Sequence, residues 1–306
     1  MRFEQIHGCL LGQAVADSVG ATFEGQDTQW LRGRFDDKGK MFRYAADAHR
    51  HYTDDTEMAF ALARYLATHA EVVSHKLMRT FVEDYSPWRG YGRGTRVLID
   101  AFRDNCEYEH LVEHLFQGGS WGNGAAMRAA PVGLRFWRDH DRVWEQAGQS
   151  ALPTHRNILG IEGAQLVALA TAVAATHEDI TPASIADMLI PRVTTTVYTN
   201  RLRSLRSLSD ESELTQFGNG IEAHESVVTA IGCFALHPDS FEEAIATAIW
   251  QGGDTDTIAA MTGALVGARL GVDGIHESWV SNLEDTAFPQ KVEELSRELF
   301  LASQTP

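Results

Sequence analysis

The sequence predicts an all-α fold in a single domain spanning residues 1–306. Three observations predict it. Apolar residues recur at three- and four-residue spacing through most of the chain, alternating strand patterns are scarce, and no Pro-rich or Gly/Ser-rich linker divides the chain. A composition of 44% hydrophobic and 22% charged residues is that of a globular protein with a substantial core.

Taken in order, the spacing predicts helices over 4–20, 56–70, 74–84, 94–104, 107–116, 124–137, 159–177, 181–189, 222–236, 240–250, 256–270 and 290–302. The best strand-like run is Arg192 to Val197, which is short and isolated. The connections at 25–52, 86–94, 117–123, 138–158, 204–221 and 251–255 are polar or glycine-rich, and function is expected in them. Two helices carry small residues every fourth position: Gly8, Gly12, Ala16 and Gly20 in the first, and Gly263, Gly267 and Gly271 near the end. Each interior glycine costs up to about 1 kcal/mol relative to alanine. A stripe of them on one face predicts that these two helices approach each other closely, as a soluble central pair that also carries Gln13, Asp17 and Arg269.

The formal charge of −16 opposes binding to phosphate backbones and anionic lipid, so unmodified nucleic acid and membrane are not expected partners. No long apolar run stands out, and the first residues do not read as a signal peptide. A soluble, cytoplasmic monomer is expected. Cys9, Cys106 and Cys233 are widely separated and read as buried thiols. His49 and His51 read as loop residues, because a hard oxygen site seldom needs imidazole.

Two short strings carry the chemistry: Thr53-Asp54-Asp55-Thr56, and Gly252-Gly253-Asp254-Thr255-Asp256-Thr257. Each precedes an apolar helical run and would serve alone as a helix cap. Together they hold more acid than caps require. If they met in space, four carboxylates would share one small volume and would need positive charge among them. Asp oxygens and Thr hydroxyls form an all-oxygen set suited to magnesium or manganese. A binuclear hard-metal centre, with two Mg2+ or Mn2+, is therefore expected. The glycine-rich stretches Gly119–Arg128 and Gly218-Asn219-Gly220 each precede a helical run and suit close approach of an anion, although neither has the spacing of a nucleotide-binding fingerprint.

In this order the pieces resemble the ADP-ribosylglycohydrolase family: GCLLGQAVADSVGATFE at 8–24, TDDT at 53–56, GNGAAMRAAPVG at 122–133, TH at 154–155, GNGIEAHESV at 218–227 and GGDTDTIAAMTGALVGARLG at 252–271. The resemblance implies a compact orthogonal helical bundle with a binuclear metal site at its centre. Thr53, Asp54, Asp55, Asp254, Asp256 and Thr257 would hold the two ions. Gly122, Asn123, Gly124 and His155 would lie along an ADP-ribose cleft, with Gly218, Asn219 and Gly220 as neighbours. Glu24 matches the acidic residue that closes the first motif, near the metals.

The resemblance also implies hydrolysis of the bond joining C1 of the distal ribose to an acceptor, with arginine-linked protein substrates expected first and serine-linked second. Glu24 is the first candidate for the carboxylate that handles the water proton, and Asp55 the second. Small-molecule or nucleic-acid conjugates of ADP-ribose form an alternative substrate class. A non-catalytic ADP-ribose binder or structural protein is an alternative of another kind. The chain departs from the family pattern at Ala16, Ser18 and Thr22, which stand for a glycine, an alanine and a proline, and at Asn157, where a second histidine is common. The stretch Gly90–Gly94 lacks the aspartate found in nitrogenase-type members.

Overall fold

The computed structural model describes residues 1–305 and contains, among them, helices and turns with no strand beyond two isolated bridges. The helices are α1 Phe3–Gly20, α2 Thr28–Arg34, α3 Lys38–Ala46, α4 Asp54–Thr68, α5 Ser74–Asp84, α6 Arg93–Arg103, α7 Tyr108–His114, α8 Ala130–Arg135 and α9 His140–Ala151. They continue as α10 Ile158–Thr176, α11 Pro182–Leu189, α12 Thr196–Arg206, α13 Ala223–Leu236, α14 Phe241–Trp250, α15 Thr255–Leu270, α16 Glu277–Ser281 and α17 Phe288–Ser303.

At the centre α1 and α15 run antiparallel in backbone contact. A Cβ on Gly267 would stand 2.1 Å from the Gly8 carbonyl oxygen, and one on Gly263 would stand 2.4 Å from that of Gly12. At the other end of α1, a Cβ on Gly20 would meet the Thr255 carbonyl oxygen at 2.4 Å. The small-residue stripes thus do what their spacing predicts: the C-terminal end of α1 lies against the N-terminal end of α15. Helices α10, α13 and α14 surround α15, while α4 and α17 flank α1. Helix α10 is long and apolar enough to cross a membrane by length and composition, contrary to the expectation that no such run exists. It is instead a core helix, with 83% of its most apolar window buried.

Several helices were not expected. Helices α2 and α3 fall within 25–52, each started by an aspartate whose carboxylate accepts a backbone N–H: Asp27 from Trp30 and Asp37 from Lys40. Asp139 starts α9 in the same way. The strand-like run at 192–197 is no strand. Buried Glu162 accepts from the N–H and hydroxyl of both Thr194 and Thr195, and Thr195 caps α12. The helix expected over 124–137 is broken into a short 3-10 turn at Asn123–Ala125 and α8, which restarts at Ala130 with Pro131 in its first turn. Cys9 and Cys233 are buried as expected, but Cys106 is exposed in the α6–α7 connection.

Gly267→Ala is expected to destabilise the fold by roughly 1–3 kcal/mol or more, because two backbones must separate to admit one methyl group. Gly33→Ala, in α2 with open space around its α-carbon, is expected to be neutral or mildly stabilising. Denaturant melts of the two variants check the contrast; equal stability of the two would contradict it.

Candidate metal centre

Both acidic strings open helices. Thr53 caps α4, its hydroxyl accepting the Asp55 N–H at 3.3 Å, so the cap and the carboxylate cluster are the same structure. Asp254 occupies the cap position of α15 but makes no side-chain cap bond, which leaves its carboxylate for other partners. Gly252 and Gly253 both have positive φ and turn the chain sharply before it, with Gly253 packed on the Asn219 backbone. The antiparallel central pair then sets the two strings facing each other. Burial and the charge of Asp256, in that order, push the Asp55 carboxyl well above its usual range. Burial and the charge of Asp254 do the same to Asp256.

A fifth aspartate stands behind the first string. Asp17, fully buried on α1, accepts the N–H of Thr53 at 3.0 Å and its hydroxyl at 2.8 Å, together with the N–H and hydroxyl of Thr56 at 3.1 and 2.5 Å. Burial raises its carboxyl to about 6, against the opposing pull of these four donors. Asp17 therefore fixes the first turn of α4. The sequence shows it only as one of the polar residues carried by the helix with the glycine stripe. The usable signal was a charge on a helix face otherwise reserved for close packing.

The cleft over this cluster is about 390 Å3 and is bordered by Glu24, Thr53, Asp54, Asp55, Asp254, Asp256 and Thr257. Gly122, Asn123, Gly124, Thr154 and His155 border it as well. Its volume lies within the range of small-molecule sites. Carboxylate oxygens of Glu24, Asp254 and Asp256 come within 4.8 Å of one another. Asn123 ties the glycine loop to the cluster, its amide donating to Asp254 Oδ2 at 2.5 Å and to Ser226 Oγ at 3.0 Å.

Gly218, Asn219 and Gly220 do not border the cleft. They brace the second string from behind: the Asn219 carbonyl accepts the Asp254 N–H, and its side chain donates to the Gln251 carbonyl. Within the Gly122–Gly124 loop the N–H of Gly122 is taken by Ser120 Oγ and that of Asn123 by the Ile221 carbonyl, which leaves the Gly124 N–H for a ligand. What the glycines supply is room, since a Cβ on Gly124 would lie 3.3 Å from the His155 ring. His155 itself is buried, and burial followed by the nearby Arg128 charge push its imidazole down to about 3, so it is neutral.

The cluster fits divalent cations on two observations. No Lys, Arg or His forms an ion pair with Asp17, Asp54, Asp55, Asp254 or Asp256 among the described residues. Asp55 Oδ1 is buried with no hydrogen-bond partner. An all-oxygen set of this charge suits magnesium or manganese.

Without metal, the shifted carboxyls give stability a definite pH dependence. Asp17 and Asp54 are raised to about 6 and about 7, so the folded chain holds protons that the unfolded chain has released above roughly pH 4. That contribution is full below the unfolded value and is lost as pH rises through the folded values. The melting temperature of metal-free protein is therefore expected to fall between roughly pH 5 and 8, and magnesium to remove most of the fall. Melting curves with and without chelator test this; superimposable pH profiles would contradict cation binding at the cluster.

The family model described as ADP-ribosylglycohydrolase matches residues 1–306. The chain is 32% identical to ADP-ribosylhydrolase ARH3 of Homo sapiens, over 92% of this chain and 89% of that protein. It is 33% identical to ARH3 of Mus musculus, over 92% and 87%. A solved structure described as an ADP-ribosylglycohydrolase-related protein complex superposes with a TM-score of 0.75 at 22% identity, covering 99% of both chains, which supports the all-α fold. With the match running the full length of the chain, this protein belongs to the ADP-ribosylglycohydrolase family and is a glycohydrolase.

Proposed function

We propose that this enzyme releases ADP-ribose from a modified protein side chain, using two magnesium or manganese ions held by Thr53, Asp54, Asp55, Asp254, Asp256 and Thr257. The observation that carries the reading is that both acidic strings and a glycine-rich loop line one cleft. When bound, the ions supply Lewis acidity that orients ribose hydroxyls and lowers the pKa of water.

The chain's own residues do the rest. Glu24 stands at the exposed edge of the cluster and accepts a proton from the attacking water. The water oxygen bonds to C1 of the distal ribose, the bond from C1 to the acceptor atom breaks, and the acceptor departs with a proton. Asp55, buried and packed among like charges, is the second candidate for the proton. The glycines at 122 and 124 leave space beside His155 for the diphosphate and ribose.

The acceptor is ordered by charge. The cleft rim at 90–94 has no carboxylate of its own and presents Arg93, with Asp54 Oδ1 3.6 Å from where a Cβ on Gly90 would stand. A cationic arginine-linked acceptor is repelled there, whereas a neutral serine-linked one is not. Serine-linked substrates are therefore placed first in this proposal and arginine-linked substrates second, the reverse of the order expected from sequence.

Release of free ADP-ribose from serine-linked and arginine-linked substrates, with magnesium, manganese or chelator, tests the activity. Metal-dependent release that is abolished in Asp54→Ala is expected. Release from neither substrate, despite ADP-ribose binding, would move the reading to small-molecule or nucleic-acid conjugates or to a binding protein. Glu24→Gln is expected to lose turnover while keeping metal and ADP-ribose affinity, and near-normal turnover would remove Glu24 from the role. Arg93→Glu is expected to shift the arginine-to-serine preference by roughly fivefold toward arginine, the scale of one exposed ion pair.

A further inference from the structure

Arg128 is the largest fully buried side chain in the protein, yet it pairs with no carboxylate among the described residues. Its guanidinium stacks on Phe81, 4.6 Å from the ring centroid, and remains charged at neutral pH although burial lowers it to about 9. It donates to three oxygens: the Gly124 carbonyl at 3.0 Å, the Ser150 carbonyl at 3.1 Å and Thr154 Oγ1 at 2.8 Å. A planar fork suits three fixed acceptors, and a lysine ammonium would not reach them together.

The bond to Thr154 has a directional consequence. Arginine has no acceptor atom, so Thr154 Oγ1 must accept from it. The same oxygen lies 2.7 Å from His155 Nδ1 and has no other partner. If Nδ1 carried the ring proton, Oγ1 would accept twice and its own hydroxyl proton would be buried without an acceptor, a cost of about 1–3 kcal/mol. The favoured arrangement has the hydroxyl donating to Nδ1, which leaves the ring proton on Nε2. That nitrogen faces the glycine loop, 3.9 Å from where a Cβ on Gly122 would stand and 3.7 Å from one on Gly124. Gly122 bridges to Glu222, and the adjoining Asn123 amide reaches Asp254.

We infer that Arg128, Thr154 and His155 form a one-directional hydrogen-bond relay that locks the imidazole as its neutral Nε2–H tautomer and so positions the Gly122–Gly124 loop over the cleft. The inference rests on the reading of that cleft as the ADP-ribose site. His155 is then a positioning residue that exchanges no proton in the reaction, and Thr154 sets its polarity. The relay runs from the buried guanidinium through Thr154 to the His155 ring, which packs on the glycine loop whose Asn123 reaches Asp254.

The test is nitrogen NMR of 15N-histidine-labelled protein, combined with turnover, for wild type, Thr154→Val and Thr154→Ser. Wild type is expected to show His155 protonated at Nε2 and bare at Nδ1, unchanged between pH 6 and 8. Thr154→Val removes the hydroxyl with little change in shape; it is expected to give a mixed tautomer and about tenfold lower ADP-ribose release, the worth of one hydrogen bond. Thr154→Ser is expected to restore both the tautomer and the turnover, which distinguishes the relay from packing alone. Protonation at Nδ1 in wild type, or an unaltered Nε2–H signal and normal turnover in Thr154→Val, would overturn the inference. The tautomer is read without substrate, so failure of wild type to release ADP-ribose would count against the proposed function and leave the relay to be judged by its own signal.

Discussion

The close antiparallel contact between α1 and α15 is the constraint on which the rest of the structure depends. Glycines let the two backbones meet where any side chain would separate them, and the registration is set along the whole length, from Gly8 beside Gly267 to Gly20 beside Thr255. That registration carries Asp17, near the C-terminal end of α1, and Glu24, just beyond it, to the start of α15, where Asp254 and Asp256 stand. The first string reaches the same place through Asp17, which holds the Thr53 and Thr56 groups at the head of α4. The glycine stripe is thus part of the site although no glycine in it touches the cleft.

A concentration of buried carboxylate is tolerable only where its surroundings are polar enough to hold it rigid. Arg89 supplies some of this order from outside. It lies between the rings of Tyr52 and Trp88, at 3.5 and 3.8 Å from their centroids, pairs with Glu57 and Glu284, and its carbonyl accepts the Asp54 N–H at 2.8 Å. Arg128 supplies order to the glycine loop, whose Gly124 carbonyl it binds. Neither guanidinium contacts the aspartates, so neither neutralises them. The cluster is held in place without being discharged, which is the condition under which a divalent cation gains most by entering.

Much of this was legible in the sequence because the relevant patterns are periodic or dense. Four-residue glycine spacing predicted the central pair, and two acidic strings predicted a shared cluster that the fold does bring together. The missed helices α2 and α3 are short and start on single aspartate caps, so a search for periodicity passes over them, whereas α9 has 12 residues and buries Val143, Gln146, Ala147 and Ser150, a face too polar to read as an apolar stripe. Asp17, Glu162 and Arg128 were illegible for a different reason. Asp17 and Glu162 are lone charges in helices and Arg128 sits in a turn; none has a local pattern, and apart from Gly124 their hydrogen-bonded oxygen and nitrogen partners lie 22 to 39 residues away along the chain. Gly218-Asn219-Gly220 was read as a ligand loop because its composition matches one. Only the tertiary structure turns its backbone toward Asp254 instead of the cleft.

Density of acid alone does not make such a centre, as a second cluster in the same protein demonstrates. Glu211, His237 and Glu243 gather their ligand atoms as tightly as Glu24, Asp254 and Asp256 do. There, however, Lys38 from the head of α3 reaches in, pairing with Glu211 and with Glu243 at 3.1 Å and donating to Thr247 at 2.7 Å, while His237 bonds Glu211. The chain has supplied its own cation, and the Glu211 carboxyl is held below its usual range by Lys38 and His237 against the opposing effect of burial. At the central cluster every aspartate is pushed the other way. The direction of the carboxyl shifts therefore separates an acidic cluster completed by the chain itself from one to which the chain supplies no cation of its own.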